Sequence, residues 1–117
     1  TVYVAPADRH LTVASRDAIA LSTAAPVAGF RPSGTPLFES VIKEFGNAAV
    51  TVILTGMGQD GVAALSRARS AGTRVLAQDE KSSVVFGMPG AAVSAGYVDE
   101  VLRLDAIAAR LGELVSG

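Results

Sequence analysis

The chain has 117 residues, half of them hydrophobic, with ten basic and eleven acidic side chains and a formal net charge of -1. That length suffices for one compact core, and so balanced a charge argues against nucleic acid as a partner. Without cysteine there are no disulfides and no thiol nucleophile, which favours a cytoplasmic location, and apolar runs this short argue against membrane insertion.

The amino-terminal third predicts an extended segment, a hairpin and a loop. Residues 1–6 (TVYVAP) have the composition of a strand with no turn or capping chemistry before it, so we expect the chain to begin inside a larger domain. The β-rich stretches 11–14 and 18–21 flank the turn-prone residues 15–17 and predict a β-hairpin. Residues 24–34 contain two prolines and two glycines, which predicts an irregular surface loop.

A helix is expected after this loop, capped by Thr35 and ending at Gly46. Residues 49–54 are then continuously apolar and rich in β-branched side chains, which is typical of a strand that is covered on both faces of a parallel sheet. A second helix is predicted over residues 61–71, because Val62, Leu65 and Ala68 would share its inner face and Gly72 would cap its carboxyl end.

The last third continues the alternation of strands and helices. The pattern predicts a strand at 73–77, a short helix around 90–94, a strand near 97–102 and a final helix capped by Asp105. Strand and helix alternate from residue 49 onward, which favours an α/β layer built on a parallel sheet.

The turn at residues 55–61 (TGMGQDG) joins the apolar strand to the second predicted helix. It satisfies the pattern G-x-G-x-x-G, and Asp79 follows about twenty residues later, where a ribose-binding acid is expected. A dinucleotide-binding domain is therefore one hypothesis. Electrostatics argues against it, because Asp60 would place a carboxylate at the helix N-terminus that the pyrophosphate needs.

The same turn also suits acyl-transfer catalysis. We expect Asp60, just before a helix, to be held ionised by backbone N–H groups, as suits a carboxylate that orients a histidine. Glycines on both sides of Met57 leave its N–H free to face an oxyanion. Residue types alone favour a plain helix cap at Asp60 and a core or loop side chain at Met57.

Seven segments of the chain resemble, in order, the signatures of one family. They are YVAP at 3–6, DRH at 8–10, RPS at 31–33, ILTGMGQDG at 53–61, AQDE at 77–80, SVVFGMP at 83–89 and VDEV at 98–101. On these motifs, which extend over essentially the whole chain, it is identified as a member of the chemotaxis protein-glutamate methylesterase (CheB) family. Residues 1–117 are expected to be the carboxyl-terminal portion of the catalytic domain.

This resemblance implies a doubly wound, Rossmann-like, three-layer α/β fold with a β-hairpin excursion. It also implies hydrolysis of glutamate methyl esters on methyl-accepting chemotaxis receptors by a Ser-His-Asp triad, without metal or cofactor. Asp60 matches the triad aspartate, and the Met57 N–H matches an oxyanion donor. The family's serine and histidine precede residue 1, so we expect this chain alone to be inactive.

Arg31, Phe86 and Met88 are further candidates for contacts with the substrate, although a surface arginine and a turn before a helix explain them equally well. His10, the only histidine, belongs to the separate DRH signature and is interpreted as a turn or packing residue. The expected partners are receptor helices, with a receiver domain upstream in the intact protein. The alternative is a non-catalytic half-domain that binds receptors.

Overall fold

A two-stranded antiparallel hairpin and a three-stranded parallel sheet organise the chain. The structure is a computed structural model, and it describes residues 1–116. Strands β1 (His10–Ser15) and β2 (Ala18–Ser22) pair as the sequence predicts, with Leu11 opposite Leu21. Helix α1 (Gly34–Phe45) packs against β1. The hairpin is therefore attached to the rest of the fold through α1.

The start of α1 differs from the prediction by two residues. Ser33, not Thr35, is the N-cap: its backbone is extended, with φ -119° and ψ 147°, and its side chain accepts a hydrogen bond from the Thr35 N–H. Thr35 lies inside the first turn, where its own N–H requires an acceptor, so it cannot serve as the cap. The helix ends where predicted, at Gly46 with a φ of 51°, and a short 3₁₀ turn follows.

The parallel sheet has the order β3 (Val50–Ile53), β4 (Arg74–Gln78) and β5 (Glu100–Leu102). All neighbouring strands are parallel, which confirms the predicted α/β layer. The prediction that the first of these strands is covered on both faces is wrong. Among the described residues β3 lies at an edge and is half-buried, whereas β4, in the centre, is buried from residue 75 to residue 78.

The second predicted helix is replaced by a 3₁₀ segment, Ala63–Arg67, and a short helix α2 (Ala68–Ala71). Val62, Leu65 and Ala68 are buried, as predicted. Ala64 is buried as well, so the inward-facing residues agree with the prediction although the backbone is mostly 3₁₀. Gly72 ends α2 in the left-handed conformation with a φ of 81°, which confirms its predicted capping role.

Residues 1–6 do not form the predicted strand. They have no regular structure, and Val2 and Val4 are 89% and 83% exposed. A strand is stabilised by hydrogen bonds to a neighbouring strand, and no strand of residues 1–116 pairs with this segment. Composition alone therefore overstated its structure.

The last third contains the predicted elements with shifted limits. Helix α3 (Gly87–Ser94) begins three residues early, and β5 is confined to three residues. Helix α4 (Leu104–Ser116) includes Asp105 in its first turn, so Asp105 is not the residue before the helix. An acidic side chain in that turn still interacts favourably with the positive end of the helix.

The main core lies between the parallel sheet and the helical segments that connect its strands. Its buried members come from α1, β3, the 3₁₀ segment, α2, β4 and α3, and they are Ile42, Ile53, Val62, Leu65, Ala68, Val75 and Ala92. Leu76 follows Val75 in β4 and points to the opposite face, while α4 contacts the same strand. No helix within residues 1–116 has the length and apolarity that a membrane crossing requires.

Candidate active site

Asp60 lies at the end of the glycine turn that follows β3, and its carboxylate reaches the start of α1. Oδ1 accepts a hydrogen bond from the Ser33 hydroxyl at 2.5 Å, and Oδ2 accepts one from the Gly34 N–H at 2.8 Å. The expectation that Asp60 is held by the helix that follows it is wrong. The chain turns back at Gly61, with a φ of 81°, so that Asp60 meets the N-terminus of an earlier helix.

This position surrounds the carboxylate with hydrogen-bond donors. The twelve-residue helix α1 directs its unsatisfied N–H groups and the positive end of its dipole towards Asp60. Each carboxylate oxygen accepts one hydrogen bond from α1 and retains a further lone pair. Asp60 is half-buried, so the residue is not closed off from solvent, and the remaining lone pairs have the chemistry to accept an additional donor such as an imidazole N–H.

His10 is buried behind this contact, with 1% of its surface exposed. Its Nδ1 accepts a hydrogen bond from the Ser33 N–H at 3.2 Å, so its proton resides on Nε2, which lies 3.0 Å from the carbonyl oxygen of Ala25. Both ring nitrogens are thus engaged within the protein. The structure places His10 as a packing residue, as the sequence interpretation holds.

Met57 occupies the tip of the glycine turn, and 77% of its surface is exposed. Its backbone N–H has no acceptor among residues 1–116. The turn is fixed against the start of α3, because the Gly56 N–H donates to Val85 O at 2.9 Å and the Met88 N–H donates to Gly56 O at 2.9 Å. A Cβ atom on Gly87 would lie 3.2 Å from the Met57 Cα. A rigid turn therefore presents a free N–H donor.

The loop after β4 is cross-linked to the same turn. The buried Gln78 side chain accepts from the Thr55 N–H at 2.9 Å and donates to Ser82 O at 2.7 Å. Asp79 accepts hydrogen bonds from the Ser82 hydroxyl, at 2.6 Å, and from the Ser82 N–H, at 3.0 Å. The hydroxyl first, and then the N–H, hold the pKa of Asp79 below its ordinary value. Asp79 thus stabilises the loop after β4 through its contacts with Ser82.

The three predicted substrate contacts separate into two places. The Met88 side chain packs against Gly56, where an added Cβ would lie 2.8 Å from its sulfur, and the Phe86 ring covers Gly90. Both residues are half-buried next to the turn that carries Met57. The Arg31 guanidinium is elsewhere, and its partners are Asp8 Oδ1, at 2.8–2.9 Å, and the carbonyl oxygens of Thr23 and Ala24.

Sequence reasoning singled out Asp60 and Met57 as candidates and did not predict that Ser33 contacts Asp60. This serine was treated as an ordinary loop residue, although serine is a preferred N-cap and the next residues, Gly34-Thr35-Pro36, suit a first helical turn. Within residues 1–116, no group of three or more histidine, aspartate or glutamate side chains is arranged to hold a metal ion.

Comparisons with known proteins show the family of the chain. A protein-family model described as CheB methylesterase matches residues 1–111. The chain is 52% identical over 116 residues to protein-glutamate methylesterase/protein-glutamine glutaminase 4 of Myxococcus xanthus, covering 99% of this chain and 33% of that relative. It is 60% identical over 111 residues to the corresponding protein 3 of Anaeromyxobacter dehalogenans, covering 94% of this chain and 32% of that relative.

The structure also superimposes on a solved one. The crystal structure of the Thermotoga maritima CheB methylesterase catalytic domain matches with a TM-score of 0.92 and 33% identity, covering 97% of this chain and 61% of that chain. The predicted Rossmann-like α/β fold is thereby confirmed. The chain spans about a third of the length of the curated relatives that it matches. Because the family model covers residues 1–111, the chain belongs to the CheB methylesterase family.

Proposed function

We propose that the intact protein hydrolyses methyl esters of glutamate side chains on methyl-accepting chemotaxis receptors, with Asp60 as the acidic member of a Ser-His-Asp triad. One observation carries the proposal. The Asp60 carboxylate accepts hydrogen bonds through both oxygens at the N-terminus of α1, and the residue is only half-buried. The names of the relatives, protein-glutamate methylesterase, support the substrate class.

In the proposed mechanism, a serine hydroxyl attacks the ester carbonyl and a histidine takes its proton. Asp60 orients that histidine and stabilises the imidazolium. The negative oxygen of the tetrahedral intermediate accepts a hydrogen bond from the Met57 N–H. Methanol then leaves, and water hydrolyses the acyl-enzyme by the same route. His10 cannot be the base because both of its nitrogens are engaged, so the serine and the histidine are proposed to lie outside these 117 residues.

The same site is proposed to deamidate glutamine side chains. The relatives carry the second name protein-glutamine glutaminase. Attack on an amide carbonyl develops the same oxyanion as attack on an ester, and only the leaving group differs, since ammonia replaces methanol. One triad with one oxyanion donor therefore serves both reactions.

The proposal places residues 1–117 as the carboxyl-terminal portion of the catalytic domain in a cytoplasmic protein. Its partners are receptor helices and, in the intact protein, an upstream receiver domain. Phe86 and Met88 are proposed to line the substrate cleft, because both lie beside the turn that carries Met57. For Arg31, the ion pair with Asp8 supports a role in holding the loop before α1.

The dinucleotide alternative lacks support in the geometry. The glycine turn leads into a five-residue 3₁₀ segment, which does not provide the helix N-terminus that a pyrophosphate requires. Asp79, the expected ribose ligand, is engaged by Ser82. The described part of the chain therefore offers neither the helix N-terminus nor the free ribose-binding carboxylate that this hypothesis requires.

The test is Asp60→Asn in the intact protein. We expect kcat for release of methanol from methylated receptor to fall about 10⁴-fold, because an amide at this position favours the wrong histidine tautomer. Asp79→Asn is the matched control, since Asp79 is also an aspartate bound by a serine hydroxyl in a loop of the same sheet edge. It should retain wild-type turnover. Wild-type turnover in Asp60→Asn would contradict the role of Asp60 in the triad, whereas receptor binding without any methanol release by the wild-type protein would support the non-catalytic half-domain.

A further inference from the structure

We propose that Ser33 is a positioning residue for catalysis, which sets the orientation of the Asp60 carboxylate, and that His10 holds Ser33 in place. The inference rests on the proposed function of Asp60 and extends it to two residues on other elements. Ser33 precedes α1, and His10 begins β1. Both residues are buried, with 4% and 1% of their surfaces exposed.

The Ser33 hydroxyl has two roles that constrain each other. Its oxygen accepts the Thr35 N–H at 3.1 Å as the cap of α1, which fixes the side-chain rotamer. Its proton is then directed to Asp60 Oδ1 at 2.5 Å, a distance typical of a charge-assisted O–H···O⁻ hydrogen bond. The cap contact with α1 fixes the position of the Ser33 hydroxyl. The hydroxyl therefore determines where Asp60 Oδ1 lies.

The backbone of Ser33 is held by a second fixed group. Its N–H donates to His10 Nδ1 at 3.2 Å, and the opposite ring nitrogen of His10 lies 3.0 Å from Ala25 O. The imidazole thus bridges the loop at Ala25 and the start of α1. A buried side chain with both nitrogens engaged has little freedom to move, so the hairpin contributes to the position of Asp60 through Ser33.

The plane of the carboxylate depends on having two donors. An isolated aspartate rotates broadly about χ2, whereas hydrogen bonds to Oδ1 from Ser33 and to Oδ2 from Gly34 leave one orientation. Loss of the Ser33 donor leaves a single hydrogen bond, about which the carboxylate can pivot. When a catalytic group loses its fixed orientation in this way, the rate falls by about 10- to 100-fold, while the contacts with the substrate remain.

The experiment is a double-mutant cycle in the intact protein, with methanol release from methylated receptor as the assay. We expect Ser33→Ala to lower kcat about 10- to 100-fold and to leave KM within about 3-fold. In the Asp60→Ala background, the same substitution should change kcat less than about 3-fold, because a residue that acts through Asp60 has nothing left to position. A purely structural role would give equal losses in both backgrounds.

Two further variants separate positioning from capping. Ser33→Gly removes the hydroxyl but retains an acceptable N-cap, so it should fold and show the same loss of kcat and the same non-additivity. Ser40→Ala is the matched control, since the Ser40 hydroxyl also makes two hydrogen bonds on α1, from the Val13 N–H and to Leu37 O, both at 2.9 Å. It should retain wild-type kcat.

The outcomes distinguish the two proposals. Wild-type turnover in Asp60→Ala would overturn the proposed role of Asp60 in the triad and, with it, the role of Ser33. A strong loss in Asp60→Ala, combined with equal effects of Ser33→Ala and Ser33→Gly in both backgrounds, would overturn the positioning role alone. Loss of kcat in Ser40→Ala to the level of Ser33→Ala would also overturn it, because any cut hydrogen bond on α1 would then suffice.

Discussion

Gly61 follows Asp60 directly and permits the close approach of the glycine turn to α1. A Cβ atom at this position would lie 2.9 Å from Phe38 Cε2 and 3.3 Å from the carbonyl carbon of Gly34, and the backbone has a φ of 81°. A larger residue would push the turn away from the helix whose N-terminus binds the carboxylate. The absence of a Cβ atom at Gly61 therefore allows Asp60 to reach the N-terminus of α1.

We predict that Gly61→Ala lowers the free energy of unfolding by about 2–4 kcal/mol, the sum of left-handed strain and overpacking against Phe38. Gly96→Ala is the matched control, because Gly96 has a φ of 79° with open space around it. It should lose only the strain contribution of about 1–2 kcal/mol. Urea titration of the intact variants measures both values, and equal losses would show that the contact with Phe38 contributes nothing.

For single residues, the sequence predicts which ones form the candidate site only where they are close to one another in the chain. Asp60 and Met57 share one turn, so their spacing and the flanking glycines are visible in a single stretch. The Ser33 partner is 27 residues from Asp60, and the contact requires Gly34 and Gly61 to pack together. No local pattern contains that information, because it arises from the packing of two distant segments.

At the scale of elements, local signals predicted the hairpin, α1, the parallel strands and the final helix. They failed where a neighbour decides the outcome. The segment 1–6 has strand composition but no partner among the described strands. The helix expected at 61–71 is instead a 3₁₀ segment followed by a four-residue helix. Similarly, β3 resembles a central strand in composition, whereas β4 is the one that is buried.

The end of β4 is the element on which the site loops depend. The amide of Gln78 is buried and joins the Thr55 N–H to Ser82 O, which links the loop after β3 to the loop after β4. Thr55 and Val85 reinforce the connection through the Thr55 hydroxyl. The turn that presents the Met57 N–H is thus supported by an uncharged side chain outside the proposed triad.

We predict that Gln78→Ala destabilises the protein by about 1–3 kcal/mol, because the Thr55 N–H and Ser82 O lose part-buried hydrogen bonds and a buried side chain is removed. Amide hydrogen exchange at Thr55 should accelerate selectively. The Thr73 amide, which donates to Ala68 O before the other end of β4, is the internal reference and should keep its protection relative to global unfolding. Unchanged exchange at Thr55 would contradict the proposed support.

At the scale of the whole molecule, one carboxylate connects β5 to the elements on either side. Arg110 of α4 donates through Nε to both oxygens of Glu100, at 2.9 and 3.0 Å, and Arg74 of β4 lies 3.7 Å away. Glu113 shares the Arg110 guanidinium at 2.9 Å. The hydrogen bond from Arg110 holds the pKa of Glu100 below its ordinary value, even though partial burial opposes the shift.

The sign of the pH dependence follows from that shift. A carboxylate with a lowered pKa in the folded state stabilises the protein fully above its unfolded pKa of about 4.3, and this contribution disappears as the pH falls through the folded value. We therefore predict that Glu100→Gln lowers stability at pH 7 by at most about 1 kcal/mol, since both side chains are partly exposed. In thermal unfolding, the unfolding temperatures of Glu100→Gln and the wild type should converge below about pH 4.

Glu39→Gln, at an exposed site without an ion pair among the described residues, is the control, and its unfolding temperature should follow that of the wild type at every pH. If the unfolding temperatures of Glu100→Gln and the wild type differ by the same amount from pH 7 to pH 3, α4 is held to the sheet by packing alone.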